Sequence, residues 1–183
     1  MKFIKTGLPD AYIIEMEPSS DERGFFGRTF CTKEFADQGI NPSIVQANQS
    51  KSSTAGTLRG LHYQVSPQEE TKIVKCIHGA IFDVIVDIRP DSPTYGKWYG
   101  ETLTPKNYKM MYVPKGFAHG FFTLENDSEI IYFVSQYYSK EHERGIRWND
   151  PFFSIVWPGV PTVISERDNL HPDYSPETHL IKA

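Results

Sequence analysis

The sequence predicts an all-β fold, a sandwich or a barrel, and three observations carry that expectation. Thirteen glycines and thirteen prolines lie scattered through 183 residues and cut the chain into short segments. Those segments read as strands separated by turn chemistry. Only 32–38 and 139–144 look helical, and both are short.

The clearest strand is "AIFDVIVDI" (80–88), in which Phe82, Val84, Val86 and Ile88 share one face. Asp83 and Asp87 share the other with Ile81 and Ile85, and turn-forming "HGA" and "RPDSPTYG" bound the segment. Further strands are expected over 12–17, 27–32, 44–49, 58–64, 72–77, 97–103, 109–113, 119–124 and 129–138. A barrel with a lined interior explains why polar residues would face inward. No repeat, low-complexity tract or linker interrupts the chain, so 1–183 is expected to form one domain, with 171–183 as a C-terminal tail.

Formal charge is −4, which argues against bulk nucleic-acid binding; an anionic substrate would need clustered arginines. Cys31 and Cys76 have no zinc or redox spacing, which suits a reducing cytoplasm. The N-terminal "MKFIKTGLPDAYIIE" holds no apolar run long enough for a signal peptide or membrane span. A soluble cytoplasmic protein without membrane or nucleic-acid partners is therefore expected.

Four stretches carry candidate chemistry. In "LRGLHYQ" (58–64), period 2 puts Leu58, Gly60, His62 and Gln64 on one face and Arg59, Leu61 and Tyr63 on the other. A lone strand histidine is more often structural than catalytic. If Arg59 and His62 serve one site, the strand must bend or twist at Gly60. In "VPKGFAHGFFTL" (113–124), Pro114, Gly116 and His119 form a turn that delivers a histidine onto a new strand. In "EIIYFVSQYY" (129–138), Ile130, Tyr132, Val134, Gln136 and Tyr138 share a face. In "VISERDNLHP" (163–172), Asp168 becomes interesting only if the tail folds back onto His62. Arg23, Arg59, Lys72 and Arg167, brought together, would suit a diphosphate, because arginine forks bind phosphate oxygens bidentately.

Gly56 with His62, and Pro114-x-Gly116 with His119, resemble the two half-motifs of cupins, small jelly-roll barrels. Metal-binding cupins use a H-x-H pair, a glutamate and a later histidine. Here the second histidine of the pair is Gln64, a poor ligand. His62, one of Glu69 or Glu70, and His119 would remain, so no metal is expected and His62 is free to act as a base.

Six motifs in register sharpen the resemblance: "DERGFF" (21–26), "LRGLHYQ" (58–64), "FDVIVDIRPDSPTYGKW" (82–98), "PKGFAHGF" (114–121), "ERGIRWNDP" (143–151) and "SERD" (165–168). From about residue 3 to residue 170 the chain resembles the dTDP-4-dehydrorhamnose 3,5-epimerase family. That resemblance implies a cofactor-free, cupin-type jelly-roll homodimer with a few short helices, acting at C3 and C5 of a dTDP-linked 4-keto-6-deoxy sugar. It further implies His62 as the base, Asp168 as its dyad partner and Tyr132 as the opposite-face acid. Lys72 and His119 match positions near the ketone. Arg23, Phe26, Arg28, Gln46, Asn48, Arg59, Tyr138, Glu143 and Arg167 match nucleotide-sugar contacts, with Arg23, Phe26 and residue 28 reaching into a neighbouring subunit's site.

Two positions depart from the usual pattern. Arg28 stands where many members carry an acid, and Asn48-Gln49-Ser50 where many read Asn-His-Ser. The charge reversal bears on base or phosphate recognition and leaves the chemistry untouched. The alternatives are a C3-only or C5-only epimerase or a 3,4-ketoisomerase on a nucleotide sugar, a metal-dependent cupin oxygenase, and a non-catalytic sugar-binding barrel.

Overall fold

The computed structural model describes residues 1–180. In chain order its elements are β1 (Lys2–Lys5), β2 (Tyr12–Glu15), β3 (Ser19–Asp21), β4 (Gly24–Phe26), α1 (Thr32–Ala36), β5 (Gln46–Ser52), β6 (Thr57–Gln64) and β7 (Lys72–His78). They continue with β8 (Ile81–Asp87), β9 (Trp98–Leu103), β10 (Lys109–Val113), β11 (Phe117–Thr123), β12 (Ser128–Val134), β13 (Glu143–Gly145), β14 (Val163–Ile164), α2 (Glu166–Asn169) and α3 (Pro176–His179). No helix among the described residues is long and apolar enough to cross a membrane.

Two sheets face each other in a cupin-type jelly-roll barrel. The first runs β1-β2-β10-β7-β12-β5, and the second β13-β6-β11-β8-β9 with β14 beside β6. Except for the parallel β14–β6 pair, the strand pairs are antiparallel. The inner faces meet in an apolar plug. Ile13, Val74, Met111 and Ile130 of the first sheet pack there against Ile81, Ile85, Leu103, Phe117 and Phe121 of the second. Each inner face then runs on from apolar to polar along the same strands. β7 carries Lys72 in alternation with Val74 and Cys76, and β12 carries Tyr132 after Ile130. The result is a barrel filled at one end and hollow at the other.

Both outer faces are also covered, which is why these strands look apolar on both sides. Phe35 of α1 packs on the back of the first sheet against Ile14, Ile73, Met110 and Tyr112. The C-terminal third packs Ile146, Phe153 and Tyr174 on the back of the second, against Val84, Val86 and Ile88. α3 belongs to this cover: the Tyr63 hydroxyl donates to the His179 carbonyl (2.9 Å). The last three positions of the expected tail, 181–183, lie outside the described residues.

Three local expectations need correction. No strand runs over 27–32. The β3–β4 hairpin ends at Phe26, Gly27 is packed against the Met16 side chain, and Phe30, stacked on Phe133 and tilted against Phe35, forms an apolar strap. The 139–144 segment makes one turn, with the Glu143 N–H donating to the Ser139 carbonyl (2.9 Å). The open edge of β6 then captures Glu143–Gly145 as β13. Finally, 129–138 leaves the sheet after Val134, so Gln136 and Tyr138 sit on a loop. The short β1, β3, β4, β13, β14, α2 and α3 were not among the expected elements.

Candidate active site

The hollow end of the barrel is a cavity of about 560 Å³. His62, Tyr132, Asp168, Arg59, Lys72, His119 and Arg167 line it, and five of these come from β6, β7, β11 and β12. An adjoining recess shares His62, Lys72 and Tyr132 and adds Gln46, Asn48, Tyr138 and Glu143.

Arg59 and His62 reach the same cavity because β6 does bend at Gly60. The β6–β11 ladder pairs His62 with His119 but Arg59 with Phe121, so three steps on one strand oppose two on the other. That bulge cancels one alternation. Gly60 takes φ +118°, and a Cβ there would lie 2.6 Å from the Gly120 Cα. Only glycine fits both the dihedral and the approach. Arg59 is then tied down by Ser52 Oγ (3.1 Å) and the Lys51 carbonyl (3.2 Å).

Asp168 is 106 residues from His62 and arrives by a short route in space. β14 lies parallel to β6, pairing Ile164 with Leu58. Ser165 caps α2 by accepting the Asp168 N–H (3.0 Å). Buried Asp168 accepts the Gly60 N–H on Oδ2 (3.1 Å) and presents Oδ1 to His62 Nε2 at 2.8 Å. Burial pushes this carboxyl up, but His62, the Gly60 N–H and His171 together outweigh it and hold the group below its usual range. An ionised carboxylate only accepts, so the shared proton sits on Nε2 and Nδ1 keeps the basic lone pair.

The opposite sheet supplies the phenol. Tyr132, paired with Asn48 and Val74, is half-buried. Burial first, then the nearby Glu70 charge, raise its pKa, with Arg59 acting the other way. The hydroxyl is therefore a proton donor at neutral pH. Lys72 is held by Glu70 (3.2 Å). His119 Nε2 lies 2.8 Å from Oδ1 of fully buried Asp83, whose Oδ2 has no partner within the described residues. Glu70 and Asp83 support the site but were not singled out as its members. The β8 alternation put Asp83 on one face with Ile81 and Ile85; in the β8–β11 pairing it stands opposite Phe121 and reaches His119 diagonally.

At the rim, Glu143 accepts the Tyr138 hydroxyl (2.7 Å) and pairs with Arg167 (2.6 Å). Burial raises the Glu143 carboxyl, yet these two partners win and lower it. Gln46 donates to Asn48 (2.7 Å). Gln64, by contrast, spends its amide on backbone: it donates to the Gln68 and Tyr137 carbonyls and accepts the Ser139 N–H. It fixes the loop carrying Tyr138.

Three expected contacts stay away from this cavity within one chain. Arg23 is 84% exposed and turned back onto Asp21, and Phe26 is 77% exposed. Arg28 pairs with Glu34 (2.6 Å), which also accepts the N-terminal amine, beside a separate surface cavity.

Gln64 removes the second histidine of the usual cupin ligand set, and the remaining groups oppose an imidazole–carboxylate pair to a phenol. Fold and site together define a cupin-type barrel with an imidazole–carboxylate pair facing a phenol across its cavity. The particular branch follows from comparison: the family model described as dTDP-4-dehydrorhamnose 3,5-epimerase matches residues 5–175, and the chain belongs to that family. It is 46% identical over 169 residues to the dTDP-4-dehydrorhamnose 3,5-epimerase of Shigella flexneri, covering 92% of this chain and 93% of that one. Its fold matches the Bacillus anthracis enzyme solved with TDP and pyrophosphate bound, at TM-score 0.92 and 43% identity, covering 94% of this chain and 99% of that one. It also matches a Legionella pneumophila dTDP-6-deoxy-D-glucose-3,5-epimerase in complex with dTDP-4-keto-L-rhamnose. There the TM-score is 0.86 and identity 40%, covering 95% of this chain and 98% of that one.

Proposed function

We propose that this chain converts dTDP-4-dehydro-6-deoxy-D-glucose into dTDP-4-dehydro-L-rhamnose by inverting C3 and C5. The observation that carries this reading is that His62 and Tyr132 project from opposite sheets into one cavity. Hydrogens at C3 and C5 are α to the C4 ketone, so losing either gives an enolate. A single base would return the proton to the face it came from; inversion needs a second donor across the ring. His62 Nδ1 takes the proton, and Asp168 stabilises the imidazolium. Charge on the C4 oxygen is met by Lys72 and by His119 backed by Asp83. The Tyr132 hydroxyl then protonates the opposite face. Each cycle is redox-neutral and is completed by proton return through solvent.

Arg59 and Arg167 suit the diphosphate, and Gln46, Asn48, Tyr138 and Glu143 the rest of the nucleotide sugar. The exposed β3–β4 hairpin supports a homodimer in which Arg23, Phe26 and Arg28 of a second copy complete each site. Within one chain Arg23 is turned onto Asp21, Phe26 stands exposed, and Arg28 pairs only with Glu34. The test is turnover of the dTDP-4-keto-6-deoxyglucose substrate in D₂O. Deuterium at both C3 and C5 with the inverted product supports the double epimerase, label at one carbon a mono-epimerase, and no turnover refutes the reading. His62→Ala removes the activity.

A further inference from the structure

Behind the His62–Asp168 pair lies a third donor that epimerisation does not use. His171 follows α2, and its Nε2 is buried without a hydrogen-bond partner, 4.0 Å from Asp168 Oδ1. Its ring rests on Gly145 of β13, where any side chain would collide with it. One ring nitrogen from each histidine and one carboxylate oxygen all lie within 4.8 Å of one another.

We propose that His62, Asp168 and His171 form a three-ligand site for a divalent transition-metal ion, zinc above all, and that filling it switches the enzyme off. Two imidazoles and a carboxylate are a donor set zinc accepts, at roughly 2.0–2.2 Å from each atom. Ligands on a tetrahedral ion stand roughly 3.3 Å apart, so the 2.8 Å pair must open, the 4.0 Å pair close by less than 1 Å, and the two histidines, within 4.8 Å of each other, draw together by up to about 1.5 Å. The carboxylate is anchored by the Gly60 N–H through its other oxygen, leaving Oδ1 for the ion.

Inactivation follows from tautomer chemistry. A neutral imidazole that binds metal through Nε2 keeps its hydrogen on Nδ1, and Nδ1 then has no lone pair to accept a substrate proton. This inhibitory consequence rests on the role proposed above for His62; the binding itself does not.

The test uses the full chain, stripped with EDTA, and Zn²⁺ or Co²⁺ as the only ligand. The wild type should take up one equivalent, and Co²⁺ should give the visible absorption of a four-coordinate ion. Catalytic rate should fall as Zn²⁺ fills the site and return with EDTA. His171→Phe fills the Gly145 seat without a donor, and His171→Asn is a smaller second choice should the ring swap not fold. Losing supporting shells alone weakens metal sites roughly 10–100-fold, so either variant should bind at least that much more weakly. Uptake and cobalt spectrum unchanged in the variants, or no stoichiometric uptake by the wild type, would overturn the site. Metal bound through His171 with full activity retained would confirm the site and reject the base role of His62 instead.

Discussion

Replacing Asp168 by asparagine tests the proposed dyad most directly, because shape is kept while the proton is redirected. The Gly60 N–H demands an acceptor, so the asparagine oxygen should take the place of Oδ2 and its amide should face His62. An amide donates, which obliges Nε2 to accept and moves the imidazole hydrogen to Nδ1, where the substrate needs a lone pair. The variant therefore holds the wrong tautomer in an almost unchanged cavity. Positioned base catalysis is worth roughly 10²–10⁴ in rate, or about 2.7–5.4 kcal/mol at 1.36 kcal/mol per decade. The loss should fall on kcat, with KM nearly unchanged, since Asp168 meets His62 and not the nucleotide. Deuterium wash-in at C3 and C5 should fall together because both abstractions use one base. A loss smaller than about tenfold, or exchange abolished at one carbon only, would refute the assignment of Asp168 and His62 to a single acting pair.

Tyr132→Phe leaves the base in place and removes the opposite-face donor, so solvent exchange at the α-carbons should persist while inverted product falls. Equal loss of both, read by mass spectrometry and NMR, sinks that role. Gly60→Ala must place a Cβ 2.6 Å from the Gly120 Cα at φ +118°, straining the backbone by about 1–3 kcal/mol before any clash. At about 2–4 °C per kcal/mol for a chain of this size, calorimetry should show a clear drop in melting temperature; an unchanged melt counts against the bulge as described. Asp168 and Glu143 both have folded-state pKa values below their reference values of 3.8 and 4.5. Their ionised forms therefore stabilise the fold fully above those values and lose that contribution as pH falls through the lower, folded ones. Urea unfolding from pH 7 to pH 3 should show stability declining on the acid side, less steeply in Asp168→Asn. A parallel decline in both proteins would exclude Asp168 as a contributor.

Local pattern made much of this molecule legible. The alternation in 80–88 identified β8, and nearly every long strand falls within a few residues of its expected place, because side-chain periodicity is written in neighbouring residues. Periodicity placed His62, His119 and Tyr132 on strands, but only the family resemblance singled them out, with Lys72, as site residues. The 139–144 segment shows the limit. It begins the helical turn its composition favours, and an unpaired β6 edge takes the rest as a strand.

What the sequence by itself determined is a set of short β-strands and the chemical groups they carry. Beyond the pairing of Asp168 with His62 that the family resemblance implied, tertiary structure decided which groups meet. The β6 bulge put Arg59 on the His62 side, the parallel β14 brought Asp168 across 106 positions, and the β8–β11 pairing set Asp83 diagonally within reach of His119. Each depends on hydrogen bonds between segments far apart in the chain, whose partners no local periodicity encodes.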